Sequence, residues 1–498
     1  MNTRTAAAVA LVCLPVFASA QTPTLESMER RQQDLEALVR EQGARIKELE
    51  QLLRERLPAP ASTPAPASTP TGAGAAVPAA NQPQSSPEPA DTEPQASAAS
   101  AGPEYIPNLG FKLYESDMAQ IYMRLFSYAR YLNQKGLDAT YTDSFGNEKT
   151  VQRREDFQLN KFFLPFSGWF LDPKWRYYLY VWSSNPSQGD PAQVVGAGNL
   201  SYVANTHVTI GAGITSLPAV RSTEGQFPYW LGVDDRLIAD EFFRASYTTG
   251  IWVKGQVVPG VNYMAMLANN LSTLGISASQ LDNTLDTYSL MLNWLPTTQE
   301  FGPIGAFGDF EGHEELATRL GVHFTHSTED AQSQPGTNSI ENSQIRLTDG
   351  NVIFTPGLFG PGITVQKVLY EMASFDAGAK YRGLSLEAEY YRRHLSDFVG
   401  PGTEGIQDIT DDGFQVQASA MLIPKMLQFY AGHSQISGDY GDASEWRYGV
   451  NYFPKHMRGI RLNGEWLVLN DSPVGYTAVP YPVGGNGDVF HLNFEMNF

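Results

Sequence analysis

The sequence predicts an all-β fold: a transmembrane antiparallel β-barrel of about sixteen strands, preceded by a short N-terminal coiled-coil helix and a Pro/Ala-rich linker. Three observations predict it. The chain ends VFHLNFEMNF, where Phe490, Leu492, Phe494, Met496 and Phe498 alternate with His491, Asn493, Glu495 and Asn497. That two-residue period marks a strand with one apolar and one polar face. Composition is rich in glycine and aromatics (45 Gly, 24 Tyr, 26 Phe), with only 42% hydrophobic residues, as in a barrel whose hydropathy signal per strand is weak. Finally, the links between strands fall into a short set and a long set. One alternating strand fits a soluble sheet equally well; segregated loop lengths fit a barrel standing in lipid.

In chain order, residues 1–20 (MNTRTAAAVALVCLPVFASA) read as a signal peptide: Arg4, an apolar stretch to Val16, and small residues before a cut after Ala20. Cleavage there removes Cys13, the one cysteine, and with it disulfides, thiolate metal sites and cysteine nucleophiles. Residues 21–57 carry a heptad pattern with Leu25, Met28, Leu35, Val39, Ile46, Leu49 and Leu53 on one narrow seam, a periplasmic coiled coil. Residues 58–110, Pro-, Ala- and Ser-rich, read as an extended tether reaching on the order of 100 Å.

The barrel is expected over 111–498, with strands near 118–131, 157–164, 174–183, 196–204, 206–215, 248–257, 261–269, 285–295, 316–326, 373–382, 384–393, 413–422, 426–434, 445–453, 458–469 and 488–498. Turns such as Val258-Pro259-Gly260 and Arg382-Gly383 are short. The segments near 132–156, 184–195, 216–247, 270–284, 327–372, 395–412 and 470–487 are long. One link, 296–315, is long on the short-turn side.

A net charge of −19 argues against nucleic acid as a partner. Taking the polar face of each strand as lumen wall turns Arg124, Arg130, Arg176, Lys254, Arg319, Lys380, Arg382, Arg393, Arg447 and Arg461 inward, against Asp376, Glu387, Glu389, Glu465 and Glu495. The wall is then net positive and favours anions, unless arginine and acid pair across it. The surplus acid is expected in the helix and loops, as at Asp408, Asp411 and Asp412. The loop 215–246 holds a helical piece, LIADEFFR, among apolar and charged residues. Folded into the lumen it would bury Trp230, Leu231, Phe242 and Phe243, leaving Arg221, Arg236 and Arg244 to face Asp234, Asp235, Asp240 and Glu241 around a constriction. An external lid is the alternative.

The stretch RREDFQLNKFFLPFSGWFLDPKWRYYLYVW (153–182), this loop and the terminal Phe498 together resemble the phosphate-selective porin family, porins O and P, over roughly residues 110–498. The resemblance implies a trimeric sixteen-stranded barrel whose third loop forms the constriction, with an inward arginine ladder and a lysine cluster. The lumen set above supplies the arginines but only two lysines, Lys254 and Lys380.

No catalytic motif is found. Gly312-His313-Glu314-Glu315 lacks the second histidine of a zinc protease. His323 and His326 fall on opposite faces of one strand. The expectation is an outer-membrane, non-enzymatic pore, without cofactor or metal, for small hydrophilic solutes and preferably anions, phosphate among them. Its partners are outer-membrane lipid, two further copies of the chain and, through the coiled coil, peptidoglycan. The rival is a structural protein tethering the envelope to peptidoglycan.

Overall fold

The computed structural model describes residues 104–498, apart from 107–108, 185–192, 226–228, 282–283, 335–343 and 477. Of the two units into which the chain divides, the described residues belong to the second, Ala96–Phe498. The signal peptide and the coiled coil lie outside the described residues. Among those residues no helix is long and apolar enough to cross a membrane, which says nothing about crossing by strands.

The second unit is a closed antiparallel barrel of sixteen strands. These are β1 (Phe126–Leu137), β2 (Glu155–Phe170), β3 (Asp172–Ser184), β4 (Gln193–Val203), β5 (Thr209–Ser216), β6 (Tyr247–Val258), β7 (Val261–Ala268) and β8 (Thr287–Trp294), followed by β9 (Ala317–Asp330), β10 (Lys367–Tyr381), β11 (Leu384–Val399), β12 (Ile409–Ile423), β13 (Leu427–Gly438), β14 (Gly441–Tyr452), β15 (Ile460–Ser472) and β16 (Gly485–Asn497). Each pairs with its neighbours in sequence, and β16 pairs with β1 from Gly487↔Leu137 to Asn497↔Phe126.

The closure explains the bare C-terminal phenylalanine. Phe498 and Leu125 exchange both backbone hydrogen bonds, at 2.7 and 3.0 Å. Where β16 stops, strand Gly110–Glu115 pairs with Ala119–Met123, which runs on through Arg124 into β1. Phe111 meets the Phe498 ring edge-on at 5.8 Å. Pairing begins at Tyr105, six residues ahead of the expected boundary at 111.

Alternation decides which face meets lipid. On β16 Leu492 and Phe494 are exposed while His491 and Asn493 are buried, and the same inversion repeats around the barrel: Leu384 and Leu386 on β11, Trp446 and Tyr448 on β14, Leu462 and Trp466 on β15. An apolar side chain left in water costs about 1.5–3 kcal/mol relative to burial, so a belt of this kind requires lipid around it. Backbone polar groups are satisfied strand to strand with no open edge, as a bilayer demands.

The expected strands are present, but most run longer at the end bearing the long loops, because pairing continues beyond the lipid band. The link between 434 and 445 shrinks to a two-residue turn, Asp439-Tyr440, between β13 and β14. At the opposite rim the tight turns use left-handed backbone: Arg382 and Gly383 both have positive φ (48° and 83°), which fits a two-residue hairpin. Arg382 therefore occupies a turn and is exposed, correcting its expected place on the lumen wall.

Candidate functional site: the filled half of the lumen

Loop 217–246 folds into the lumen, which sets aside the external-lid alternative. Its helix α1 (Ile238–Phe243) is buried along its whole length. Phe243 stacks on Tyr391 at 5.2 Å and lies so close over Gly413 that a Cβ there would clash. The Tyr370 hydroxyl donates to the Phe243 carbonyl at 2.8 Å, and the Ile238 N–H donates to Glu445 Oε2 at 2.8 Å. The helix is too short to persist alone; the wall of β10–β14 holds it.

The wall arginines are consumed in fastening this loop. Arg461 donates to the carbonyls of Trp230, Leu231 and Gly232 at 3.0, 2.9 and 3.2 Å. Arg130 donates to Val233 O at 2.7 Å, and Arg447 to Arg236 O at 2.8 Å. Each also meets the wall: Arg461 bonds Glu495 at 2.6 Å and Arg130 bonds Asn493 at 2.8 Å. Arg393 bonds Asp411 at 2.6 Å and lies 4.2 Å over the Phe242 ring. Asp411 is thus a buried lumen residue, which corrects its assignment to the loop surplus.

Two stations of similar make-up pin the loop, each combining a loop acid with an arginine, a histidine and one or two acids from the wall. In the first, Arg319 binds Glu224 Oε2 at 2.9 Å and Asp376 Oδ1 at 2.6 Å. His323 Nε2 lies 3.3 Å from Asp376 and 3.5 Å from Glu224. In the second, Arg447 binds Asp235 at 2.9 Å and Glu445 at 2.7 Å and approaches Glu465 at 3.5 Å, with His491 Nε2 3.1 Å from Glu465. Burial outweighs the pull of Arg447 and, with Glu465 adjacent, lifts the Asp235 carboxyl well above the usual carboxylate range. Burial lifts Asp240 likewise, although Arg236 opposes it.

These stations bring three ligand-type residues within 4.8 Å twice, Glu224/His323/Asp376 and Asp235/Glu465/His491. Neither offers a metal three lone pairs. Arg319 occupies both carboxylates of the first. In the second, Asn493 is oriented by accepting from Arg130, so its amide donates to His491 Nδ1 at 2.8 Å and the proton of a neutral ring belongs on Nε2. His326, three residues beyond His323, faces outward and stacks on Tyr288.

The predicted constriction charges do not ring an opening. Arg221 is buried against Glu387, Arg236 lies 3.3 Å from Glu241, and Arg244 bonds Glu241 at 2.5 Å. Ser222 donates to Asp240 at 2.7 Å, and Asp234 takes Lys161 at 2.6 Å. Unsolvated charges must be matched, so once the loop is buried its arginines turn to acids.

A second inward segment comes from the other end of the barrel. The long link 295–316, anomalous in the sequence, enters the lumen and meets loop 217–246. Phe307 N–H donates to Tyr229 O at 3.0 Å, Arg221 donates to Ala306 O at 2.9 Å, and Gly308 N–H donates to Glu387 at 2.7 Å. Phe301, Phe307 and Phe310 are buried, and the Arg221 guanidinium lies 4.3 Å over Phe307.

The opposite wall is different in kind. Strands β3 to β8 contain a single acid, Asp172, at the very start of β3. Their cations are Lys174, beside Asp172 at the rim, and Arg176 and Lys254 further along the inward face, all exposed. Arg176 shares a face with the buried Tyr180 and Trp182, Lys254 with the buried Trp252, while Leu179, Val181 and Ile251 point outward. Arg176 donates to Pro173 O at 3.3 Å, and among the described residues neither Arg176 nor Lys254 has an acid partner. Lys380, expected on the lumen wall, is buried and donates to Phe301 O at 2.9 Å. The acid gap between Asp172 and Trp294 in the strands was visible in the sequence, but only to a reading of the wall by sectors rather than by its total charge.

No family model matches this chain, and no curated protein matches it. Solved structures similar in architecture include in-vitro folded OmpT, an outer membrane protein of Vibrio cholerae (11% identity, 78% of this chain and 99% of that one, TM-score 0.48). Others are an anion-selective porin from Comamonas acidovorans (10%, 76% and 100%, 0.45) and the outer membrane channel DcaP of Acinetobacter baumannii (9%, 78% and 99%, 0.49). At such identities the likeness is one of barrel architecture.

Proposed function

We propose that this barrel is an outer-membrane porin passing small hydrophilic solutes down their gradients, with a weak to moderate preference for anions. The observation that carries the reading is the division of the lumen wall. Acids on the filled half are taken up by arginines and by loop 217–246, whereas β3–β8 expose Arg176 and Lys254 and carry one acid, Asp172, at the rim where β3 begins. A passage along that half runs in a positive field, which raises local anion concentration and lowers that of cations. Loop 217–246 and link 295–316 narrow the lumen and set the size limit. Resemblance to phosphate-selective porins makes phosphate one candidate anion.

Reversal potentials of refolded protein in planar bilayers under a KCl gradient test the reading. Chloride is expected to be the more permeant ion, and R176Q/K254Q should move the reversal potential toward zero. A clear cation preference in the unmutated protein would refute it.

A further inference from the structure

At the rim bearing the short turns, a cavity of about 370 Å³ opens beside the point where the two inward segments meet. Its cationic groups come from three places: Arg124 below β1, Lys425 in the β12–β13 turn, and His456 with Arg458 in the β14–β15 turn. One acid, Glu311, stands among them, and Arg458 holds it at 2.8 Å. Arg124, Lys425 and Arg458 thus stand against one anion. Lys425 is exposed and has no ion pair among the described residues. The rest of the lining is largely apolar: the ring of Tyr229, Phe310 and Met457. Arg124 is steered toward it by donating to the Tyr229 hydroxyl and Asn497 Oδ1, both at 2.9 Å.

We propose that the cavity binds small organic anions, a carboxylate or phosphate on a ring or short apolar body, at the periplasmic mouth of the barrel. The anionic end would meet Lys425 and Arg124, and the apolar body would lie against Phe310 and the Tyr229 ring. This deepens the anion-passing reading by naming a solute class, and it uses residues other than the Arg176/Lys254 wall.

Benzoate is the probe, titrated by calorimetry into the refolded full chain in detergent, with benzyl alcohol and inorganic phosphate as comparators. Benzoate should bind, and benzyl alcohol, which lacks the charge, should not. Phosphate, which lacks the ring, should bind more weakly. Lys425→Asn suits the left-handed turn, where φ is 55°, and should weaken benzoate about fivefold, the scale of one partly exposed ion pair. H456N provides a second variant, should K425N not refold, and should likewise weaken benzoate. Equal binding of benzyl alcohol, or unchanged benzoate affinity in a folded K425N, overturns the site. A cation-selective barrel that still binds benzoate would sink the anion-passing reading and leave this site standing.

Discussion

Arg447 is the residue on which the second fastening station depends, and Arg447→Leu isolates its effect. The guanidinium is the common partner of Asp235, Glu445 and Glu465, and it donates to the Arg236 carbonyl of the loop. All three acids are at most 2% exposed. Removing one partner of a buried pair costs about 3–5 kcal/mol. Asp235 already sits above the usual carboxylate range and can take up a proton, which places the cost near the lower end, about 3 kcal/mol. Most of it falls on the docked state of loop 217–246, because undocking returns Asp235 to water. At 1.4 kcal/mol per factor of ten, docking should weaken by roughly two orders of magnitude. The assay is single-channel conductance, with barrel integrity followed by heat-modifiable migration in SDS gels. Arg447→Leu should raise conductance and open-channel noise while the barrel remains intact. Adding Asp235→Asn removes one stranded charge and should recover part of the loss, a non-additivity that a double-mutant cycle reads directly. Unchanged conductance in an intact barrel would falsify the role given to this arginine.

Asp235 also predicts a pH dependence. Its carboxyl is raised in the docked loop, so the docked state binds more protons than the undocked one, and docking weakens as pH rises from the ordinary aspartate range through the raised value. Conductance should therefore climb with pH over that interval, and Asp235→Asn should flatten the rise, other groups at the station being unchanged. Phe307→Ala removes the aromatic contact of link 295–316 with Arg221 and Leu231. A buried Phe→Ala change costs about 3–5 kcal/mol, so this variant should lower the urea midpoint of the refolded barrel and admit larger neutral sugars in liposome swelling.

The fold was legible because membrane strands obey two simple rules at once, alternation along the strand and long against short links between strands. The C-terminal strand shows both the power and the limit of this. Its apolar residues could be assigned to lipid, but nothing in it announced that Phe498 closes on Leu125 and Phe111. The lumen charges were legible by parity for most residues: Arg130, Arg319, Arg393, Arg447 and Arg461 do point inward. What these arginines do was not legible, since that depends on which backbone carbonyls a folded loop brings to them. Arg382 was misplaced because strand parity loses meaning at a turn. Asp411 was misplaced because the polar run Asp408 to Asp412 looks like loop, although β12 begins at Ile409. Link 295–316 was correctly seen as anomalous, and its inward fold supplies the physical reason for its length.

The asymmetry of the wall follows from burying a charged loop. Loop 217–246 carries arginines and acids into a lumen where water is scarce, and each must find a partner there or cost several kcal/mol. The wall that receives it must supply both signs at matching heights, so acids and arginines concentrate on β9–β16. Strands β3–β8 take no part in the fastening stations, and beside their exposed cations Lys174, Arg176 and Lys254 they carry a single acid, Asp172, at the start of β3. On the function proposed above, selectivity comes from the groups the packing does not use: the buried lumen arginines hold the loop in place, and the solute meets the exposed cations Arg176 and Lys254. Substitutions among the first set should change how wide the passage is, and substitutions in the second which ions it prefers.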